Sequence, residues 1–204
     1  MLVRTSLLLL PLLFSACSAV PTRAGRPEGP SDGPLIHNQV VIQFGSKTID
    51  DANDLDVGAS ETVDIGDQTA IGFEYSSIAD GGFGGEFGLQ YSSADDDIDF
   101  MGTPINLELS LLEITAGARY TFRGLGNFMP YIGGGVDLIS YDLSGESGGS
   151  SVSTDDTDFG LYAHVGAAYA VGGHFLVGAD LRGVFGTSDD LDSTQVSGFL
   201  GYGF

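Results

Sequence analysis

A chain of 204 residues suits one domain of ordinary size. Its 7 Lys and Arg residues stand against 28 Asp and Glu residues, which excludes nucleic acid as a partner because phosphate binding needs basic side chains. The 32 glycines show no Gly-X-Y period, so collagen is excluded, and crowded strands with tight turns are favoured.

Residues 1–17 have the features of a secretory signal peptide. Arg4 precedes a short apolar run, 7–14, that is too short to span a bilayer, and small residues follow it. Residues 13–17 (LFSAC) resemble the bacterial lipobox, which implies lipidation of Cys17; ordinary cleavage nearby, with Cys17 lost or free, is the alternative. Because Cys17 is the only cysteine, no intramolecular disulfide can form.

Residues 18–35 contain four prolines and three glycines. Such a segment has too little apolar surface to fold by burial, so we expect a flexible linker. The folded domain is then expected over residues 36–204.

Alternation of apolar and polar residues predicts eight strands in this domain. Their cores lie at 39–45, 70–75, 86–91, 105–122, 130–138, 159–171, 175–182 and 196–204. The connections alternate between long, acidic ones (46–67, 93–104, 144–157 and 186–193) and short, Gly-rich ones (79–82, 123–128 and 172–174).

One predicted strand changes phase. Odd-numbered residues are apolar from Ile105 to Leu111, and even-numbered ones from Leu112 onward. A bulge near Leu111 would reconcile the two halves. A helix carrying Leu107, Leu111, Ile114 and Ala118 on one face is the alternative for this stretch.

The last strand places Val196, Leu200, Tyr202 and Phe204 on one face. We expect it to pair with the first strand, which would close an all-β, eight-stranded antiparallel barrel. The strands have the length of about 9–11 residues that crosses a membrane when tilted, and their apolar rows end in Tyr and Phe, as aromatic girdles do.

Three segments carry a family resemblance: residues 118–122 (ARYTF), 129–137 (MPYIGGGVD) and 200–204 (LGYGF). They resemble the small outer-membrane β-barrels of the OmpA/OmpX type, over residues 36–204. The resemblance implies an up-and-down transmembrane barrel in a Gram-negative outer membrane, in contact with its lipid and lipopolysaccharide. It also implies that Tyr202 and Phe204 form the assembly signal presented to the barrel-assembly machinery.

The polar faces of the strands predict a charged interior. In a barrel of eight strands the lumen is just wide enough to be filled by side chains, and buried charges there must pair. We expect Arg119 and Arg182 to bridge several carboxylates, with the surplus acids protonated, hydrated or paired with His164. The candidate interior residues are Glu74, Glu86, Glu113, Arg119, Asp137, His164, Asp180 and Arg182.

The predicted function is non-enzymatic, in envelope structure or in surface interaction through the acidic loops. The alternative is a barrel enzyme that modifies lipopolysaccharide or phospholipid, with His164 and a carboxylate as catalytic groups. A pore or small-ligand barrel is disfavoured because Tyr131, Tyr162 and Phe199 would fill the lumen. We assign no catalytic residue, cofactor or resident metal.

The acidic loops are candidate sites for divalent cations, since carboxylate oxygens are the ligands that such cations prefer. The alternative is a solvated, repulsive surface. We expect Lys47 and the loop around Asp155 and Asp156 to be accessible from outside the cell, and the 123–128 turn not to be. The candidate ligands are Asp95, Asp96, Asp97 and Asp99 in one loop, and Asp189, Asp190 and Asp192 in another.

Overall fold

The computed structural model describes residues 35–49, 67–100, 103–147, 150–188 and 191–204. The predicted signal peptide with Cys17, nearly all of the predicted linker, residues 50–66 and the pair Asp189 and Asp190 lie outside the described residues. The side chains of residues 97–104 and 147–152, which include Asp97 and Asp99, are not described either. Within the described part of the chain, no helix is long and apolar enough to cross a membrane.

Eight antiparallel strands close into a barrel, in which each strand pairs with the next and the last pairs with the first. This architecture confirms the fold predicted from the alternation pattern. The strands are β1 (Asn38–Ile49), β2 (Asp67–Ile78), β3 (Phe83–Phe100), β4 (Thr103–Thr121), β5 (Phe128–Ser147), β6 (Ser150–Val171), β7 (Phe175–Phe185) and β8 (Ser193–Gly203).

Alternate residues face outward and form what we call the apolar belt around the barrel. On β1, for example, Ile42 and Phe44 are 48% and 53% exposed, whereas Gln43 between them is buried. Apolar side chains outside and polar ones inside invert the usual arrangement, as is required of a strand that faces lipid. Representative members of the belt are Ile42, Phe44, Ile71, Phe73, Leu89, Tyr91, Leu112, Ile114, Leu138, Phe159, Leu181, Val196 and Leu200.

The barrel closes between β1 and β8. Val40 lies opposite Tyr202, and the backbone N–H groups of Asn38 and Phe204 each donate to the other's carbonyl, at 2.9 and 2.8 Å. Phe199, on the opposite face of β8, points into the lumen. A Cβ on Gly178 would lie 2.2 Å from its ring, so glycine is required there to admit the aromatic side chain.

Three of the four central strands, β3, β5 and β6, are much longer than predicted, whereas β4 has nearly the predicted bounds of 105–122. β3 to β6 have 18 to 22 residues, whereas β1, β2, β7 and β8 have 11 or 12. Segments 93–104 and 144–157, predicted as loops, therefore belong largely to two hairpins, β3–β4 and β5–β6. The prediction was wrong because Asp and Ser are unusual strand residues, and here the continuous pairing within each hairpin outweighs their low propensity.

The predicted bulge near Leu111 and the alternative helix are both wrong. β4 pairs residue for residue with β3 and β5, without interruption across Leu111 and Leu112. Odd-numbered residues face inward from Ile105 to Thr121: Leu109 and Leu111 are buried apolar residues, and Glu113 is a buried acid. The apolar pattern changes phase because the surroundings of the outer face change along the strand. From Leu112 toward the short-turn end the outer face meets lipid, and toward the long-loop end it meets water.

The lumen is filled in three layers. At the short-turn end lies an apolar cluster made of Ile36, Val41, Met129, Tyr131, Ala168, Ala170, Leu176 and Phe199. At the long-loop end lies a second apolar cluster made of Ile49, Leu109, Leu111, Ile139, Tyr162, Val184 and Leu191. The buried charged side chains lie between these two clusters and form the charged layer.

Candidate functional site

The charged layer contains all eight residues predicted for the interior. Each of them is at most 7% exposed, and they come from six different strands. The structure places them as Glu74 on β2, Glu86 on β3, Glu113 and Arg119 on β4, Asp137 on β5, His164 on β6, and Asp180 and Arg182 on β7.

Arg119 joins two of the acids. Its guanidinium forms an ion pair with Glu74, and its Nε lies 2.9 Å from an oxygen of Glu86. Arg182 reaches the other oxygen of Glu74 at 3.0 Å, and the side-chain amide of Gln43 donates to that same oxygen. Glu74 is therefore shared by two arginines, and its buried charge is compensated.

His164 lies between two carboxylates. Its Nδ1 is 2.9 Å from Asp180 and its Nε2 is 2.9 Å from Glu86. Nδ1 hydrogen-bonds to Asp180, whereas Nε2 lies within ion-pair distance of Glu86 without hydrogen-bond geometry. A carboxylate close to each ring nitrogen favours the imidazolium form. We therefore count His164 among the cations of the layer.

The structure contradicts the prediction that Lys47 is accessible from outside the cell. It is 1% exposed, lies on β1 with its side chain inside the barrel, and forms an ion pair with Glu113. Gln90 donates to the second oxygen of Glu113 at 2.7 Å. The error arose because residues 46–49, predicted as loop, continue β1, which places Lys47 in the inward row with Gln43.

Two tyrosines complete the layer. The hydroxyl of Tyr131 donates to Asp180 at 2.8 Å, and that of Tyr162 donates to Glu86 at 2.6 Å. The guanidinium of Arg119 lies 4.0 Å from the centre of the Tyr131 ring, which adds a cation–π contact. The sequence pattern predicted that these rings fill the lumen but not that they donate to carboxylates. The available signal was that Tyr131 lies on the same inward face of its strand as Asp137, and Tyr162 on the same inward face as His164.

Glu74, Glu86 and His164 offer three ligand atoms within 4.8 Å of one another, which is a spacing that a metal ion could bridge. The guanidinium of Arg119 contacts both carboxylates, however, and supplies the positive charge that a metal would bring. As it stands, this arrangement is a set of ion pairs.

The His164 side chain is 0% exposed, beneath apolar residues at both ends of the lumen. A lipid molecule outside the barrel does not reach it. The arrangement can hold charge and keep the strands in register, but in this conformation it has no access to a lipid substrate.

The outer faces of the two long hairpins form a second feature, the acidic hairpin face, which consists of Asp95, Glu108, Asp142 and Asp155. All four side chains are exposed. Asp95 lies directly opposite Glu108, and Asp142 directly opposite Asp155. They lie just beyond the end of the apolar belt, separated from it by Ser93, Ser110, Ser140 and Thr157.

Other predicted loop acids have different surroundings. Asp192 accepts hydrogen bonds from the backbone N–H of Thr187 at 3.0 Å and from its hydroxyl at 2.7 Å. These bonds hold the pKa of Asp192 below its ordinary value, because they stabilise the charged form. Its contribution to stability is therefore present above the ordinary carboxyl pKa and lost as the pH falls through the lowered one. Asp156, on the inward-facing row of β6, is exposed to solvent. Its accessibility from outside the cell stays a prediction.

The comparisons with known proteins agree with this geometry. The family model described as "Outer membrane protein beta-barrel domain" matches residues 10–204. Comparison with the curated proteins gives no significant match.

Three solved structures show the same fold. Ail, the attachment invasion locus protein of Yersinia pestis, has a TM-score of 0.55 at 14% identity, covering 83% of this chain and 99% of that chain. Ail in complex with the heparin analogue sucrose octasulfate has a TM-score of 0.53 at 14% identity, with 82% and 97% covered. OprG from Pseudomonas aeruginosa has a TM-score of 0.54 at 14% identity, with 84% and 98% covered.

The closed barrel, its apolar belt and the family match lead to one conclusion. The belt contacts lipid, and the protein resides in the outer membrane of a Gram-negative bacterium. The chain belongs to the family of outer-membrane protein β-barrel domains.

Proposed function

We propose that this protein acts without catalysis, through the surface that its two long hairpins present outside the membrane. Its role is then envelope-structural or that of a surface-interaction protein. The observation that carries the proposal is the outer face of β3 to β6, which changes beyond the apolar belt to Ser and Thr and then to the acidic hairpin face.

The pairing of acids in that face supports cation binding. Like charges directly opposite each other on paired strands destabilise a sheet, and here this occurs twice, at Asp95 with Glu108 and at Asp142 with Asp155. Divalent cations would relieve the repulsion through oxygen ligands. We propose that they also bridge this face to lipopolysaccharide phosphates, because the face begins where the apolar belt ends.

The charge of the face also indicates the kind of partner. Ail was solved in complex with sucrose octasulfate, a polyanion. This chain has a net charge of -21, and its hairpin face is acidic, so a polyanion would be repelled unless cations intervene. We propose a cationic partner, or an anionic one bound through cations.

The filled lumen supports a role outside the barrel. His164 and the carboxylates around it lie between two apolar clusters, and no specific observation favours the lipid-modifying alternative. Export through a signal peptide at residues 1–17, lipidation of Cys17 and recognition of Tyr202 and Phe204 by the barrel-assembly machinery remain part of the proposal.

A four-fold neutralised variant tests it: Asp95→Asn, Glu108→Gln, Asp142→Asn and Asp155→Asn. We expect it to refold as the natural chain does, since all four side chains are exposed, and to lose the calcium-dependent part of its binding to lipopolysaccharide vesicles. Asp80→Asn, at the opposite end of the barrel, is the control and should bind as the natural chain does. Unchanged calcium-dependent binding by the four-fold variant would rule out this face as the bridging surface.

A further inference from the structure

The charged layer is one positive charge short. Among the described residues it holds the cations Lys47, Arg119, Arg182 and the His164 imidazolium. Facing these four groups are five carboxylates, those of Glu74, Glu86, Glu113, Asp137 and Asp180. A sixth buried acid, Asp158, lies nearer the long-loop end and is held separately by the backbone N–H groups of Phe159 and Ser188, each at 2.7 Å.

The missing charge can be assigned to one residue. Glu74, Glu86, Glu113 and Asp180 each contact a cationic side chain. Asp137 is the exception: it is 1% exposed, and no N–H or O–H group of the described residues donates to either of its carboxylate oxygens. The side chain within hydrogen-bonding reach of it is another carboxylate, that of Glu113. A buried ionised carboxylate without a partner is among the most destabilising features that a protein interior can contain.

The surroundings of Asp137 suit a small cation. The charged groups that act on it are Glu113 from β4, Lys47 from β1 and Arg182 from β7. Lys47 and Arg182 are already paired, with Glu113 and Glu74 respectively. Asp137 and Glu113 both accept hydrogen bonds and donate none when ionised, so they can approach each other only through a cation held between them.

Uncharged residues lie beside Asp137 in both neighbouring strands. The residues directly opposite Asp137 are Thr115 on β4 and Gly160 on β6. Neither brings a charge, and the side chains closest to the position of a Cβ on Gly160 are those of Val184 and Thr187, which are uncharged as well. The ligands available are therefore oxygen atoms, which bind protons and hard metal cations and not soft ones.

We propose that Asp137, together with Glu113, forms a binding site for one exchangeable cation inside the barrel, either a proton or a hard metal ion such as Na⁺, Mg²⁺ or Ca²⁺. The cation completes the charge balance of the layer. The site does not depend on the surface role proposed above, because it lies in the lumen and the acidic hairpin face lies outside it.

The test is the unfolding equilibrium of the full chain refolded into lipid vesicles. Urea titrations of the natural chain and of Asp137→Asn are compared while either the pH or the concentration of one metal is varied at constant ionic strength. For one site that exists only in the folded state, a tenfold rise in cation concentration above its Kd shifts the folding equilibrium constant by about tenfold. We expect this shift in the natural chain and its loss in Asp137→Asn.

The two series distinguish the cations. A response to pH in the presence of a chelator identifies a proton, and a response to one metal at constant pH identifies that metal. Asp180→Asn is the matched control, because it makes the same change at a carboxylate that has partners; it should lower the stability, whereas Asp137→Asn should leave it equal or higher under alkaline, metal-free conditions.

Two results would overturn the proposal. One is an equal response of the natural chain and Asp137→Asn in both series, or no response in either chain. The other is a failure of Asp137→Asn to refold in alkaline, metal-free buffer in which Asp180→Asn refolds, because without its cation Asp137 carries an uncompensated charge, and removal of that charge must not harm folding more than removal of a paired one.

Discussion

At the scale of single residues, the charged layer is held by specific pairs. Arg119 contacts Glu74 and Glu86, whereas Glu113 pairs with Lys47 on the far side of the layer. A buried pair contributes little net free energy against a well-packed apolar substitute, but removal of one partner leaves the other charge buried alone.

Arg119→Met should therefore lower the free energy of unfolding by about 3–5 kcal/mol, the usual effect of breaking a buried ion pair. A second change, Glu74→Gln, should recover part of this loss, because it removes a charge that Arg119 neutralises. Urea titration of the refolded chain measures both effects.

The matched control for that cycle is Arg119→Met with Glu113→Gln. Glu113 has no direct contact with Arg119 among the contacts of the described residues, so its change should add to the loss and not reduce it. If Glu113→Gln rescued the arginine variant and Glu74→Gln did not, the pairing of Arg119 with Glu74 would be incorrect.

At the scale of strands, alternation was enough to predict eight strands and the inward position of the interior residues. It could not predict where each strand stops. Lys47 was predicted in a loop, because a lysine after Gly45 and Ser46 has no apolar neighbour to mark it as inward; only the pairing of β1 with β2 and β8 shows it.

The phase change at Leu111 and Leu112 shows a second limit. A pattern records which face is apolar but not which solvent that face meets. The outer face of one continuous strand meets lipid at Leu112 and water at Glu108, so the apolar residues change sides while the backbone does not. Contacts between strands that are distant in sequence, such as Arg182 with Glu74, follow from the closure of the barrel. No pattern among neighbouring residues in the sequence predicts them.

The last strand leads to a prediction of its own. Phe204 is exposed on the lipid side at the end of β8, and its backbone pairs with Asn38. Phe204→Asp keeps those backbone hydrogen bonds but removes the aromatic ring that we expect the assembly machinery to recognise. The yield of folded, heat-modifiable protein in the outer membrane should fall sharply.

Phe83→Asp is its control, because Phe83 is also aromatic, faces lipid at the same end and is 63% exposed. It introduces the same charge on β3, where Phe83 is paired with Tyr120 of β4 and not with the last strand. Equal yields from the two variants would mean that a charge in the lipid region, and not a lost assembly signal, causes the defect.

At the scale of the whole molecule, the inner and outer faces of the barrel wall have different roles. The lumen is closed by two apolar clusters around a charged layer, and the outside carries the apolar belt with the acidic hairpin face beyond it. A barrel of this kind offers its partners the hairpins. The proposed function therefore depends on which side of the membrane those hairpins occupy.

Labelling of cysteine variants on intact cells tests that claim most directly. Asp155→Cys places a thiol on the acidic hairpin face, and Leu125→Cys places one in the exposed turn at the other end. The natural chain, whose only cysteine is Cys17, gives the background. With a thiol reagent that does not cross membranes, we expect strong labelling of Asp155→Cys and background labelling of Leu125→Cys until the cells are broken; labelling of Leu125→Cys alone on intact cells would contradict the proposed function.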